Sequence, residues 1–162
     1  MVTGNHPVDW RRVMAPQGTA SALVRVGSDP AQVARHCSGI AYVAAPYDAH
    51  AGQRRKWQID RSTMMSTLAA REVLRLICAR VSAICPTVLR AEAMHAAPTV
   101  KEAAVNPLDL DFWANWSAPY LNACGIIVVP DIRGWQRCPM VARDVTWALD
   151  HNVPVHIYAG AA

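Results

Sequence analysis

Short, uninterrupted apolar segments alternate with helix-like segments along most of this 162-residue chain. Residues 40–46, 126–129 and 153–158 are the clearest of these segments, and residues 22–26 predict a further short strand. A strand that is apolar along its whole length is buried on both faces, which is typical of parallel sheets covered by helices. The alternation therefore predicts an α/β fold with a parallel sheet and right-handed crossovers.

Parallel sheets of this kind bind ligands at the carboxyl ends of their strands, near the point where the strand order reverses. Two segments meet this rule. Residues 44–47 end the strand at 40–46, and residues 130–138 follow the strand at 126–129. We therefore expect a binding site to involve these two segments.

Two helices are predicted in the first half of the chain. Asp29 and Pro30 have the pattern of an N-cap followed by proline at N1, which predicts a helix to about His36. A second, long helix is predicted from about Gln53 to Ile84. Its apolar residues recur at helical spacing and are expected to face the sheet; they are Met65, Ala69, Val73, Leu76, Ile77, Val81 and Ile84.

The middle of the chain has weaker patterns. Residues 85–89 predict another strand, which Pro86 would confine to a sheet edge or to the start of the strand. Residues 90–111 have poor periodicity and predict a loop, with one helical turn near 99–104. An aromatic-rich helix is then predicted over 111–123.

The composition is that of a globular protein, because 52% of the residues are apolar and 17% are charged. No apolar run reaches the roughly 18 residues that span a bilayer. The first residues lack the apolar core of a signal peptide, so we expect a cytoplasmic protein that does not contact a membrane. The five cysteines are odd in number and form no Cys-x-x-Cys pair, which favours reduced thiols.

The formal charge of +4 is spread along the chain, and residues 54–56 form the only tight basic cluster. A surface that binds nucleic acid usually shows a basic stripe with interleaved aromatic residues. This pattern therefore favours a small anionic ligand or a plain solvated surface over a nucleic acid polymer. The six histidines are scattered without ligand spacing, so neither a metal site nor a cofactor is predicted.

The segment GWQRCPMVARD, residues 134–144, connects the strand at 126–129 to a helix predicted to begin at Pro139, with Asn152 as its C′ residue. The start of this helix offers backbone N–H groups to an anion, although proline removes one donor. Asp144 lies beyond the first turn, so its carboxylate either reaches a cleft or is an exposed helix charge. Gly134 and Trp135 form either a ligand-binding turn or a turn with a hydrophobic plug.

Tyr42 lies inside an apolar strand, where its hydroxyl needs a hydrogen-bonding partner. A carboxylate at the end of the strand would serve, and Asp144 is the candidate. Three tryptophans, at positions 113, 116 and 135, are either core residues or a platform on which a base stacks.

Several segments together resemble the nucleoside 2-deoxyribosyltransferase-like superfamily, in particular a branch of short uncharacterised bacterial and phage proteins. The resemblance covers about residues 39–158, and its motifs are YVAAPY (42–47), an arginine at 54 or 55, FW (112–113), LNACG (121–125) and the segment from Val128 to Tyr158. It implies a flavodoxin-like (Rossmann-like) parallel sheet of about five strands sandwiched by helices. The domain would span residues 39–162, after an N-terminal extension, residues 1–38, with a short strand and helix.

The resemblance also implies hydrolysis or (deoxy)ribosyl transfer at the N-glycosidic bond of a nucleoside or nucleotide. Asp144 would be the nucleophile and Tyr42 would orient it. The residues expected to bind the substrate are Ala44, Pro46, Tyr47, Arg54, Trp113, Trp116, Asp131, Gly134, Trp135, Cys138 and Met140. Relatives often form homodimers or larger homo-oligomers, and the helix at 111–123 is the candidate interface.

Five positions depart from the pattern of that superfamily. Ala45 and Met140 stand where it has glycine, Gly125 where it has aspartate, Cys138 where it has serine, and Asp144 where it has glutamate. The aspartate keeps the charge but withdraws it by one methylene, and a misplacement of about 1 Å can cost ~10²-fold in rate. An alternative function is therefore that of a catalytically degenerate relative, which binds a nucleotide or a protein partner.

Overall fold

Five parallel strands form the central sheet, which confirms the predicted α/β class and the flavodoxin-like (Rossmann-like) arrangement. The computed structural model describes residues 8–15, 22–53, 56–102 and 104–158. The strands, in chain order, are β1 (Val24–Val26), β2 (Ala41–Val43), β3 (Gly52–Gln53), β4 (Lys56–Trp57), β5 (Ala83–Ile84), β6 (Ile126–Val129) and β7 (Val155–Ile157). The order in the sheet is β1-β7-β6-β2-β5, while β3 and β4 form a separate antiparallel pair.

The strand order reverses between β2 and β6. From β2 the chain continues to β5 on one side of β2, and it then crosses to β6 and β7 on the other side of β2. The order β5-β2-β6-β7 is that of the first four strands of a flavodoxin-like sheet, and β1 takes the outer place beside β7. Residues 24–36, which lie in the predicted N-terminal extension, thus contribute an edge strand and a helix to this architecture.

Helices cover both faces of the sheet. They are α1 (Trp10–Val13), α2 (Pro30–His36), α3 (Asp48–Ala51), α4 (Ile59–Cys78), α5 (Pro86–Ala96), α6 (Leu110–Ala123) and α7 (Pro139–Asp150). Alternate strand residues point to opposite faces, so Ala41 and Val43 pack with α2, α4 and α5, whereas Tyr42 and Ala44 pack with α6 and α7. No described helix is both long and apolar enough to cross a membrane.

The prediction of one helix from Gln53 to Ile84 was wrong at both ends. The β3–β4 pair comes first, and α4 occupies only Ile59–Cys78. Arg80 ends the helix by adopting a left-handed conformation, with φ of 62°. The amide of Val81 then donates to the carbonyl of Leu76, as in a Schellman motif. The chain leaves the helix at this turn, and Ile77 on α4 is 57% exposed instead of facing the sheet.

The strand predicted at 85–89 was also wrong, and so was the first part of the loop predicted at 90–111. The described residues between 100 and 109 do lie outside helices and strands. The strand is β5, Ala83–Ile84, and the helix α5 begins at Pro86 and continues to Ala96. Pro86 occupies N1, where its fixed φ suits a helix. The N–H that proline lacks would have had no partner within the helix at this position. A 3₁₀ turn follows at Ala97–Thr99 in place of the turn expected near 99–104.

The turns around the other helices agree with the sequence patterns. The carboxylate of Asp29 accepts from the amide of Gln32 at 2.7 Å, and the Gln32 side chain accepts from the Asp29 amide, which completes a capping box. Asn152 has φ of 57° and ends α7 as its C′ residue. The strand at 126–129 and the aromatic helix, α6, are confirmed within one residue.

His156 lies in the middle of β7 and is fully buried, and neither ring nitrogen has a hydrogen-bonding partner among the described residues. Burial, with smaller effects of His36 and Arg25, lowers the pKa of His156 from 6.5 to about 4. The unfolded chain therefore binds this proton more tightly than the folded chain. It follows that the free energy of unfolding decreases as the pH falls from about 6.5 to about 4.

We expect His156→Leu to remove this acid-dependent loss of stability, because the ionisable group is replaced by an apolar side chain of similar size. The difference in unfolding free energy between the variant and the native protein should grow by up to about 3 kcal/mol between pH 7 and pH 4. Urea denaturation at several pH values measures it. His151→Leu, at an exposed position, is the matched control. If the unfolding free energy depended equally on pH in the two variants, the assignment of the acid-dependent loss to His156 would be contradicted.

Candidate active site

A cleft opens at the carboxyl end of β2, beside the point where the strand order reverses. Its empty space is about 360 Å³, which includes open solvent at its mouth. Four segments line it: the end of β2 with the start of α3, the start of α5, one face of α6, and the first turns of α7. The lining residues are Tyr42, Val43, Ala44, Ala45, Tyr47, Asp48, Pro86, Thr87, Arg90, Trp113, Trp116, Ser117, Met140 and Asp144.

Asp144 lies at this cleft and is not an exposed helix charge. It is 3% exposed, because the same face of α7 buries Val141 and Val145 against the sheet. Burial raises the pKa of Asp144 from 3.8 to about 6, and Arg143 and a hydrogen bond with Tyr42 limit the rise. The group therefore remains mostly ionised at neutral pH and becomes protonated in mild acid.

Tyr42 lies beneath Asp144 on β2. Burial, followed by the charge of Asp144, raises the pKa of Tyr42 well above its usual value, so its hydroxyl stays protonated. Ser117 on α6 also lies beside this hydroxyl, and it acts on the pKa of Tyr42 in the opposite direction to Asp144. The hydroxyl is therefore able to donate to the carboxylate and to hold it in one orientation.

Arg143 holds Asp144 from the solvent side. Its Nε donates to Oδ1 of Asp144 at 2.9 Å, and its Nη2 donates to the same oxygen and to Oγ of Ser117 at 2.9 Å. The side chain of Arg143 is 29% exposed, whereas the side chain of Asp144 is 4% exposed. One oxygen of Asp144 is thus engaged by a cation at the surface.

A second ion pair forms the opposite wall of the cleft. Arg90 on α5 is 4% exposed, and it donates to Oδ1 of Asp48 and to the carbonyl of Pro107. Its guanidinium carbon also lies 4.3 Å from the ring centroid of Tyr47 and 5.1 Å from that of Trp113. These contacts join α3, α5, α6 and the loop before α6 around one buried cation.

The hydroxyl of Tyr47 points away from the cleft into a chain of hydrogen bonds. It pairs with Oγ of Ser62 at 2.7 Å and accepts from Nε1 of Trp57 at 2.8 Å. Ser62 also contacts Nε2 of His95 at 3.0 Å, and Nδ1 of His95 lies 3.6 Å from Glu92. This order resembles a serine hydrolase triad, but Ser62 is fully buried, so the chain positions Tyr47 rather than supplying a nucleophile.

The two tryptophans of α6 have different surroundings, although both line the cleft. Trp113 is 4% exposed, and its Nε1 donates to the carbonyl of Asn106 at 3.0 Å. Trp116 is only half-buried and packs edge-on between Trp113 and Tyr120. Trp116 is therefore the aromatic side chain with a surface left for a ligand. Met140, which is partly exposed, lines the cleft from the first turn of α7.

The loop before α7 lies outside the cleft. Trp135 is buried in the core beneath α7, and its ring packs edge-on against Trp10 of α1 at 4.7 Å. The indole nitrogen of Trp10 donates to the carbonyl of Gln136 at 2.7 Å. Trp135 thus acts as a hydrophobic plug, and Asp131 is exposed at the surface away from the lining residues.

Cys138 occupies the N-cap position of α7, and its thiol is buried. Burial raises the pKa of Cys138, while the backbone N–H groups of Val141, Tyr47 and Met140 lower it. The Cys138 side chain makes no capping hydrogen bond to the described backbone, and Pro139 at N1 has no N–H. The start of α7 therefore has one donor fewer for an anion.

The structure brings together seven of the thirteen residues predicted for the site. They are Tyr42, Ala44, Tyr47, Trp113, Trp116, Met140 and Asp144. Pro46, Asp131, Gly134, Trp135 and Cys138 are not among the lining residues, and Arg54 lies outside the described residues.

Sequence reasoning missed several residues of the site, among them Asp48, Arg90, Ser117 and Arg143. Asp48 follows directly after the predicted ligand segment at 44–47, and Ser117 is one turn from Trp113 on a helix that was correctly predicted. Both could have been found from spacing. Arg90 was hidden because its helix was taken for a strand and a loop.

The fold and the cleft define an α/β protein with a candidate active site at the switch point of a parallel sheet. The chain belongs to the family described as Domain of unknown function (DUF1937), which matches residues 39–160. Neither a curated protein nor a solved structure matches the chain. In the part of the chain that the structure describes, no three His, Cys, Asp or Glu side chains are grouped so as to hold a metal ion.

Gly134 is required by the turn that positions α7. Its φ is +89°, and a Cβ atom built on it would lie 2.3 Å from Nε2 of His50. We expect Gly134→Ala to lower the free energy of unfolding by about 1–3 kcal/mol, as measured by denaturant titration. Gly39→Ala is the control, because a Cβ atom there meets nothing within 4 Å. Equal effects of the two substitutions would show that the turn does not demand glycine.

Proposed function

We propose that this protein cleaves the N-glycosidic bond of a nucleoside-type ligand, by hydrolysis or by transfer of the (deoxy)ribosyl group. The observation that carries the proposal is the buried pair of Asp144 and Tyr42, which both line the cleft at the carboxyl end of β2. A carboxylate with a pKa of about 6 is ionised at neutral pH and protonated in mild acid. Perturbed carboxylates of this kind are concentrated at active sites.

In the proposed mechanism an oxygen of Asp144 attacks C1′ of the sugar. The C1′–N bond breaks through an oxocarbenium-like transition state, and its electron pair leaves with the base, which takes up a proton. The product is a glycosyl ester of Asp144. Water then attacks this ester in hydrolysis, or a second base attacks it in transfer, and the carboxylate is regenerated.

The neighbours of Asp144 have separate roles in this proposal. Tyr42 donates to the carboxylate and fixes the direction of attack. Arg143 donates to Oδ1 of Asp144, which leaves the other carboxylate oxygen as the nucleophile. Trp116 offers a half-exposed ring on which a base can stack, because it lines the cleft and is not enclosed as Trp113 is.

A second candidate function is that of a binding module without catalysis. The ion pair between Arg143 and Asp144 favours it, because a carboxylate held by a guanidinium is a weaker nucleophile than a free one. The two functions differ in one measurement. A binding module retains nucleosides and releases no free base from any of them.

We expect Asp144→Asn to reduce release of free base by on the order of 10³-fold or more, because the amide cannot form the glycosyl ester. Chromatography of nucleoside and deoxynucleoside reactions measures the free base. Asp150→Asn is the matched control, since it removes the same charge from an exposed position on the same helix. Full activity of Asp144→Asn would exclude the mechanism.

The rate of the native protein should rise with pH and level off above about 6, because only ionised Asp144 attacks the sugar. The hydrogen bond from Tyr42 lowers the pKa of Asp144. Tyr42→Phe should therefore move the inflection of the pH–rate profile to a higher pH as well as slow the reaction. A profile whose inflection is the same in both proteins would rule out Tyr42 as the residue that orients Asp144.

A further inference from the structure

The cleft holds two carboxylates and little positive charge to offer a ligand. Asp48 and Asp144 both line it, and Arg90 is the one cationic side chain among the described lining residues. Arg90 already donates to Asp48 and to the carbonyl of Pro107, and it lies between two aromatic rings. Arg143, beside the cleft, already pairs with Asp144. A phosphate group placed here would therefore face two carboxylates whose neighbouring arginines are already paired with them.

The start of α7 does not supply the missing positive site. Cys138, whose thiol is buried, occupies its N-cap position and makes no capping hydrogen bond to the described backbone. Pro139 at N1 has no N–H to donate. The start of α7 therefore offers fewer backbone N–H groups than the cradle that often holds a phosphate at a helix N-terminus.

Asp48 has a hydrogen-bonding capacity that the protein leaves unused. Its Oδ1 accepts from Arg90, but its Oδ2 is buried and has no partner among the described residues. A buried carboxylate oxygen without a donor costs free energy, and such a group in a native structure calls for a water molecule or a ligand donor. Since Asp48 lines the cleft, a bound ligand can supply that donor.

We propose that Asp48 is a specificity-determining residue, which accepts a hydrogen bond from an N–H or O–H group of an uncharged nucleoside that carries no 5′-phosphate. This inference rests on the proposed function and names its substrate class. Two groups of a nucleoside can supply the donor: an exocyclic amino group of the base, or a hydroxyl group of the sugar. A carboxylate that accepts from an amino group selects cytosine and adenine over their oxo counterparts.

The test measures binding rather than turnover, so it does not depend on the chemistry. Isothermal titration calorimetry is carried out with Asp144→Asn protein and three sets of ligands. The first compares deoxycytidine with deoxyuridine and deoxyadenosine with deoxyinosine. The second compares each deoxynucleoside with its ribonucleoside. The third compares each deoxynucleoside with its 5′-monophosphate. This set is titrated into the native protein as well, because Asp144→Asn removes one of the two carboxylates that a phosphate would face.

We expect the nucleosides to bind at least 10-fold more tightly than their 5′-monophosphates. We also expect a preference of about 10-fold for the ligand that carries the donor, in the first set or in the second. The set that shows the preference identifies the donor as the base amine or the sugar hydroxyl. Equal affinity within both sets, or tighter binding of the monophosphates, would overturn the proposal.

Asp48→Asn, added to Asp144→Asn, tests the residue itself. The asparagine keeps an oxygen for Arg90 and replaces the unused acceptor by an NH₂ donor. The preference should therefore fall at least 10-fold, and an amino-over-oxo preference should reverse. Asp150→Asn, in the same background, should leave it unchanged. If Asp48→Asn does not fold, the comparison of ligands on Asp144→Asn protein still tests whether the cleft recognises the donor. In that comparison the donor is removed from the ligand and the protein is unchanged.

The outcome separates this inference from the proposed function. Donor-dependent binding of nucleosides without release of free base by the native protein would refute the glycosidase and uphold the role of Asp48. Release of free base by the native protein, with no donor preference in binding, would support the glycosidase and refute the role of Asp48. If no nucleoside in the panel binds, the assignment of Asp48 to nucleoside recognition is wrong.

Discussion

The buried guanidinium of Arg90 is the interaction on which the shape of the cleft depends. A cation taken out of water costs several kcal/mol unless its hydrogen bonds and charge are satisfied. Arg90 is satisfied by Asp48, by the carbonyl of Pro107 and by the rings of Tyr47 and Trp113. Because these partners come from four segments, the cation fixes α3, α5, α6 and the loop before α6 relative to one another. The wall facing Asp144 is consequently rigid.

The two carboxylates of the cleft are held in different ways, and the difference assigns their roles. Asp48 pairs with a cation that is itself buried, so the pair is a structural unit with one spare oxygen. Asp144 pairs with Arg143, whose side chain is 29% exposed, and solvent weakens this pairing. Burial therefore dominates at Asp144 and raises its pKa to about 6. Asp144 is therefore the carboxylate to which we assign the chemistry, and Asp48 is the carboxylate to which we assign ligand recognition.

Residues whose local pattern and tertiary environment agree could be predicted from the sequence. β6, α6 and the Asn152 turn belong to this class, as does the placement of Tyr42 and Asp144 at one site. The failures lie where a local pattern fits two structures. Pro86 suits a strand edge or the first turn of a helix, and only the packing of α5 decides between them. Arg80 ends α4 in a left-handed conformation that no sequence rule assigns to arginine. The missed helix concealed Arg90, and with it one wall of the cleft.

Two of the five departures from the superfamily that the sequence resembles, Cys138 and Met140, lie at the start of α7, and this location separates binding from chemistry. Cys138 is buried at the N-cap position, and Met140 lines the cleft with an apolar side chain. Both changes act where a phosphate or a sugar hydroxyl would be held. The Asp144–Tyr42 pair lies one turn further along the helix, and burial and hydrogen bonding keep it intact. Substitutions at the helix start therefore alter which ligand fits the cleft without removing the carboxylate that would act on it.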